Sequence, residues 1–143
     1  MAKISKTVQF RVRYSEIDKM GTFYNSRALE WFEYGRGELL RTIGAPYVEM
    51  EAKGFCLPLI EAHLEYLGRA QYDDLLSLTT TVSMSGKARV RFDMQIVLAS
   101  PCCPTAATGK KVVNGYTIHA ITDPAGRPTR PPAWFVDAVN KTA

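Results

Sequence analysis

The segment TVQFRVRY alternates apolar and polar side chains, with Val8, Phe10, Val12 and Tyr14 on one face and Gln9, Arg11 and Arg13 on the other. That is the period of a half-buried strand. In NSRALEWFEYGRGELLRTIG the period changes: Ala28, Leu29, Phe32, Gly35, Arg36, Leu39, Leu40 and Ile43 recur at helical spacing. Asn25 or Ser26 can cap the start, and Gly44 supplies a stop. Gly35 and Gly37 each cost such a helix about 1 kcal/mol relative to alanine. Close approach to a surface curving around the helix is one explanation, and simple tolerance is the other. Strands then dominate. FCLPLIEAHLEYLG reads as extended, with Pro58 demanding an edge position or a bulge. LLSLTTTVSM and ARVRFDMQIVLA alternate clearly, and the SGK between them reads as a hairpin turn. SPCCPTAATG is a turn-rich connection, KKVVNGYTIHAIT a further strand, and PAWFVDAV a short C-terminal helix or turn with proline at its start.

One strand, one long helix and four antiparallel strands, with no β-α-β alternation, repeat or linker, predict a single α+β domain over residues 1–143. The helix covers one sheet face. Apolar side chains expected on the other, notably in the last strand, predict that a second subunit covers some of the rest. The composition, 46% hydrophobic and 22% charged, is that of a soluble globular protein. No apolar run approaches the roughly 20 residues of a membrane span, and no signal peptide is expected from the N-terminus. Three cysteines, Cys56 and the adjacent Cys102 and Cys103, suit neither a zinc site nor an easy disulfide, and fit a reducing cytoplasm. The net charge of +4 suits nucleic acid, an anionic cofactor or no particular partner. A nucleic-acid partner is not expected, because neither a dense basic face interleaved with aromatics nor a named motif is present.

Most common catalytic apparatus is missing. There is no G-x-S-x-G elbow, no phosphate-binding G-x-x-x-x-G-K and no G-x-G-x-x-G. The only histidines, His63 and His119, lie in predicted strands far apart and read as core or interface residues. Carboxylates remain: Glu16 and Asp18 in one loop, Glu33 and Glu38 on the helix, and Asp73 and Asp74 at a strand start, where acids mark turns. Asp18 stands out because a helix start lies just downstream of it. A helix beginning near Asn25 turns free N–H groups and its positive dipole end toward the loop, and such an end stabilises charge developing on a carbonyl oxygen. A carboxylate facing it across a gap supplies the other half of an acyl-transfer site, with Gly21 permitting the tight turn between them. A capping or turn role for Asp18 is the competing reading.

YSEIDKMGTFYNSRALEWFEYGRGELLR resembles the opening motif of the hotdog-fold acyl-CoA thioesterases of the 4-hydroxybenzoyl-CoA thioesterase type, through Asp18, Gly21, Tyr24, Trp31, Phe32, Glu33, Arg36 and Leu40. LEYLGRAQYDD, through Tyr66, Ala70, Asp73 and Asp74, and GRPTR, through Gly126, Arg127, Pro128 and Arg130, are similar to two further family segments. The resemblance implies a long central helix wrapped by a roughly five-stranded antiparallel sheet, and hydrolysis of an aliphatic or aromatic acyl-CoA without metal or redox cofactor. It assigns Asp18 as nucleophile or general base, the Asn25 backbone N–H as the group polarising the carbonyl, Gly21 to the loop and Tyr24 to the pocket. Lys87, Arg89, Arg91, Arg127 and Arg130 are the implied contacts to coenzyme A phosphates, which guanidinium groups bind bidentately. The resemblance also implies a homodimer or homotetramer with active sites between subunits. The chain departs from many relatives where Asn25, Arg27 and Ala28 replace histidine, asparagine and tyrosine, and where Arg69 replaces a proline, which reads as a surface change. The alternatives are a thioesterase for acyl-carrier protein and a non-catalytic acyl-CoA-binding module.

Overall fold

The computed structural model describes residues 3–101 and 108–141. Cys102, Cys103 and much of the turn-rich connection lie outside the described residues. The alternating segments form β1 (Ser5–Arg11), β2 (Leu59–Tyr66), β3 (Leu75–Met84), β4 (Arg89–Ser100) and β5 (Lys111–Ala120). They make one antiparallel sheet of order β1-β3-β4-β5-β2. The long helix, α1 (Arg27–Thr42), packs on β1, β3 and β4. Two short helices, α2 (Tyr47–Ala52) and α3 (Ala133–Asn140), complete the set. The six-residue α2 has no visible stripe of its own, since Met50 alone of its side chains is buried, and periodicity therefore misses it. The architecture is α+β and is the hotdog arrangement of one long helix on a five-stranded antiparallel sheet.

The buried face of α1 is Ala28, Trp31, Phe32, Gly35, Leu39 and Leu40. Leu29, expected inside, is exposed, and Trp31 takes the inward flank between Phe10 and Phe23. Gly35 is where helix and sheet meet. A Cβ there would stand 2.5 Å from Thr80 Oγ1 and 2.7 Å from Leu78 Cδ2, inside fully buried strand residues. At Gly37 the nearest atom to such a Cβ is Arg41 Nη1 at 3.8 Å, so this glycine is merely tolerated.

The expectation of a second apolar sheet face is overturned. That face is polar, crossed by Thr7–Thr79 at 2.8 Å, Gln9–Ser77 at 3.0 Å and Arg91 with Asp93 at 3.0 Å. The register shift between Ile96 and Val97 buries both Val112 and Val113, while Tyr116 reaches Glu61. One group of exposed apolar side chains lies at the free edge strand β2 and its exit, where Leu59, Ile60, Tyr66 and Leu67 are each about half exposed; others lie around the loop after β1 and on the helices. The strand shifts register just past Pro58, as an edge position for that residue requires.

His119 is a core residue, edge-on to Phe92, with Nδ1 2.9 Å from the Leu57 carbonyl and Nε2 3.1 Å from Thr117 Oγ1. Burial pushes its pKa down to about 4, against the Leu57 hydrogen bond and with help from the Arg36 charge. His63, by contrast, is exposed and sits 3.5 Å from Glu65.

Two outcomes are expected. Gly35→Ala destabilises the protein by roughly 1–3 kcal/mol through overpacking, whereas Gly37→Ala stabilises it by up to about 1 kcal/mol; urea unfolding of both separates them. Because the folded His119 resists protonation more than the unfolded chain, its contribution to stability is complete above about pH 6.5 and is lost as pH falls toward 4. His119→Gln flattens that part of the stability–pH curve, measured by denaturant titration at stepped pH.

Candidate active site

β1 ends in a short chain of anchors. Residues Tyr14–Glu16 form one 3-10 turn, and Glu16 is buried. Its carboxylate accepts the Arg13 N–H at 2.7 Å and the Trp31 indole N–H at 2.8 Å, with the Arg13 guanidinium at 3.3 Å. Burial acts to raise the Glu16 pKa, but these hydrogen bonds and the Arg13 charge override it and hold the group below its ordinary value. Of the two acids in the loop, Glu16 is thus fully engaged in tying the loop to α1.

Asp18 is different. Its backbone N–H donates to Thr22 O at 2.8 Å, and its carbonyl accepts from Gly21 at 3.0 Å. Gly21 sits at φ +81°, the left-handed turn that closes this loop. The Met20 N–H donates to Asp18 Oδ1 at 2.8 Å, which fixes the carboxylate's orientation. Its other oxygen, Oδ2, meets no donor among the described residues.

The chain leaving β2 grips the loop from outside. Phe23 N–H donates to Ala70 O at 3.0 Å, and Ala70 N–H to Thr22 Oγ1 at 3.2 Å. The Arg69 guanidinium donates to Met20 O at 2.5 Å, so the residue read as a surface change is a clasp across the Asp18 turn. Asp74, buried, accepts the Gln71 N–H at 2.7 Å, and Asp73 adopts φ +72°; this pair shapes the turn entering β3.

Beyond the loop, Tyr24 N–H donates to Glu16 O and Tyr24 O accepts from Arg27 N–H. That starts α1. Ser26 is the N-cap, without a side-chain capping bond. Neither Asn25 N–H nor Ser26 N–H meets an acceptor among the described residues. Asp18 and Gly21 thus lie in the turn closed by the Ile17–Phe23 bridge, and Tyr24 and Asn25 in the turn that follows it. Among the described residues a carboxylate oxygen of the first and two backbone donors of the second are uncommitted. The Tyr24 side chain is about half exposed beside it.

The five basic residues divide. Arg91 is occupied within the chain, paired with Asp93 at 3.0 Å and lying 3.9 Å over the Tyr116 ring. Lys87 and Arg89 lie exposed at the β3–β4 turn, and Arg127 and Arg130 lie in the closing loop. The backbone joins these two regions: Ile121 N–H donates to Ala88 O, and Ile121 O accepts from Thr129 N–H. They are not near Asp18 in the same chain. Arg11 at the loop end of β1 pairs with Leu75, whereas the basic turn comes after Met84 at the far end of β3. Ten residues of strand separate the two by about 30 Å.

A cavity of about 830 Å³ borders α1, with Phe10, Trp31, Leu40, Tyr47, Leu57 and Phe92 among its walls. It touches Glu16 but not Asp18. Among the described residues no cluster of three or more His, Cys, Asp or Glu could hold a metal ion, and no helix is long and apolar enough to cross a membrane.

Comparison with known proteins places the chain in a family. The family model for the thioesterase-like superfamily matches residues 12–139. The putative acyl-CoA thioesterase YneP of Bacillus subtilis is 32% identical over 74 residues, which are 52% of this chain and 54% of that protein. The chain therefore spans about half the length of that relative. Among solved structures, the 1,4-dihydroxy-2-naphthoyl-CoA thioesterase Slr0204 of Synechocystis superposes with a TM-score of 0.82 at 18% identity, covering 94% of this chain and 95% of that one. A probable thioesterase from Bartonella henselae gives a TM-score of 0.78 at 26% identity, covering 90% of this chain and all of that one. With the family match running from the end of β1 into α3, the chain belongs to the thioesterase-like superfamily.

Proposed function

We propose that the protein hydrolyses an acyl-CoA thioester, with Asp18 as the reacting carboxylate. The observation that carries this is the turn itself: Asp18 Oδ2 and the Asn25 N–H are uncommitted groups of opposite character, held on one loop. As general base, Asp18 takes a proton from water while the water oxygen adds to the thioester carbonyl. The charge that moves onto the carbonyl oxygen is met by the Asn25 N–H at the helix start. Collapse of the tetrahedral species breaks the C–S bond, and the departing coenzyme A thiolate takes the proton from Asp18. As nucleophile, an Asp18 oxygen adds to the carbonyl and the C–S bond breaks, expelling coenzyme A thiolate, which is protonated by solvent. Water then hydrolyses the resulting acyl anhydride, releasing the free acid and restoring the Asp18 carboxylate. Gly21 makes the loop possible, and Tyr24 borders the acyl group. No metal or redox cofactor enters either route. The reducing cytoplasm suggested by the cysteine usage remains the expected compartment.

The working unit is a homodimer, or a tetramer of two such dimers, with each active site shared. Exposed Leu59 and Ile60 on β2, the last strand of the sheet, and Leu67 just past it support this as the joining surface. Antiparallel pairing of two β2 strands about a two-fold axis sets the Asp18 end of one subunit beside the basic end of its partner. That arrangement removes the separation of about 30 Å and lets the partner's Lys87, Arg89, Arg127 and Arg130 reach the phosphates of coenzyme A. Arg91, tied to Asp93 and Tyr116, is left out of this set.

Thiol release from a panel of aliphatic and aromatic acyl-CoA esters tests the activity. The wild type is expected to turn over at least one ester rapidly, and Asp18→Ala to lose about a hundredfold or more in rate. Equal rates for the two proteins, or no release by wild type, would contradict the proposal; release only from acyl-carrier protein would move the substrate class. Co-expression of an Asp18→Ala chain with an Arg127→Glu, Arg130→Glu chain tests the sharing. Each variant alone is weak, and the mixed dimer regains one intact site. No recovery in a verified mixed dimer would put both groups in the same chain's site.

A further inference from the structure

We infer that Tyr66 is a positioning residue for the oxyanion-binding turn, a role that rests on the thioesterase reading above. Tyr66 ends β2, more than forty residues from the turn in sequence, and its hydroxyl donates to the Asn25 carbonyl at 2.7 Å. Its ring stacks on the buried Phe23 at 6.1 Å, which itself packs on Trp31 at 5.0 Å. The hydroxyl is therefore delivered from a braced ring and not from a free side chain. Burial raises its pKa above the ordinary phenol value.

The chemistry depends on which atoms share a peptide. The Asn25 carbonyl and the Ser26 N–H belong to one planar group and point in opposite directions. A donor on that carbonyl fixes the plane, aims the Ser26 N–H away from Tyr66, and polarises it by hydrogen-bond cooperativity. The preceding peptide is held in the same way: its Tyr24 carbonyl accepts the Arg27 N–H at 2.9 Å, leaving the Asn25 N–H directed outward. The Arg27 bond is local, closing the turn that leads into α1. The Tyr66 bond is a tertiary contact from the end of β2 onto a carbonyl that precedes the helix. The one hydrogen bond of the Tyr66 hydroxyl among the described residues goes to the backbone. Tyr66 acts through the backbone, by keeping the turn's donors in the direction that the developing oxyanion requires.

A positioning role at the transition state lowers kcat more than it raises KM. Tyr66→Phe removes one hydroxyl and keeps the ring stack. It is expected to lower kcat about tenfold, less than the ~100–1000-fold of deleting an oxyanion donor outright. KM, the affinity for a non-hydrolysable thioether analogue of the best acyl-CoA, and the thermal midpoint are expected to stay near wild type. 4-Aminophenylalanine at position 66, which restores a donor at the same place, is expected to regain most of the rate. An active wild type whose Tyr66→Phe variant keeps full kcat overturns this role and leaves the thioesterase reading standing. So does a rate loss that 4-aminophenylalanine fails to restore, or one matched by an equal loss of analogue binding. A wild type inactive on every thioester removes the parent reading, and this role with it.

Discussion

The loop from Ile17 to Phe23 keeps its shape because the segment 66–70, far along the chain, is fastened to it and to the helix start beyond. Ala70 exchanges backbone and hydroxyl hydrogen bonds with Phe23 and Thr22, Arg69 clasps Met20, and Tyr66 reaches over to Asn25. From the inner side Glu16 ties the same loop to Trp31 on α1. A loop fastened on two sides can hold a carboxylate oxygen and backbone donors unpaired without collapsing onto them. That is the condition for preorganised electrostatic catalysis, since groups already oriented need not reorganise when charge develops.

The sheet serves this arrangement. α1 can lie close enough to β3 for its first turn to reach the loop only because Gly35 presents no side chain to Thr80 and Leu78. The edge position of β2 brings Tyr66 and Arg69 to the rim beside the loop, and leaves the other side of that strand open for a partner. One strand thus supports the site and, in the proposed dimer, offers the joining surface.

Much of this is legible in the sequence, and the divisions have physical causes. The strands of the sheet, α1 and the edge placement announced by Pro58 come from periodicity and from the missing donor of proline. The Asp18 loop stands out because a carboxylate and a glycine before a helix form an uncommon combination, and the resemblance to hotdog thioesterases gives the loop its chemistry. Besides the short α2, several features are not legible. Trp31 in place of Leu29 depends on where the buried Glu16 sits. The polar second face depends on a register shift that puts both valines of β5 inside. The clasp by Arg69 is a contact across 49 residues, which no local pattern encodes. The occupation of Arg91 depends on cross-strand neighbours, so alternation alone groups it with the other cations of the two basic regions.

In the proposed reaction the turn's backbone donors and Asp18 act on the same carbonyl. The most direct test uses Asp18→Asn, which is expected to hold the acyl-CoA that wild type turns over fastest without consuming it. The carbonyl stretching frequency of the bound thioester, isolated by 13C labelling in difference Raman spectra, reads the polarisation. A clear shift to lower frequency relative to the same ester in water is expected. An unshifted stretch for bound substrate would show that the helix start does not hold the carbonyl, and would rule that reaction out.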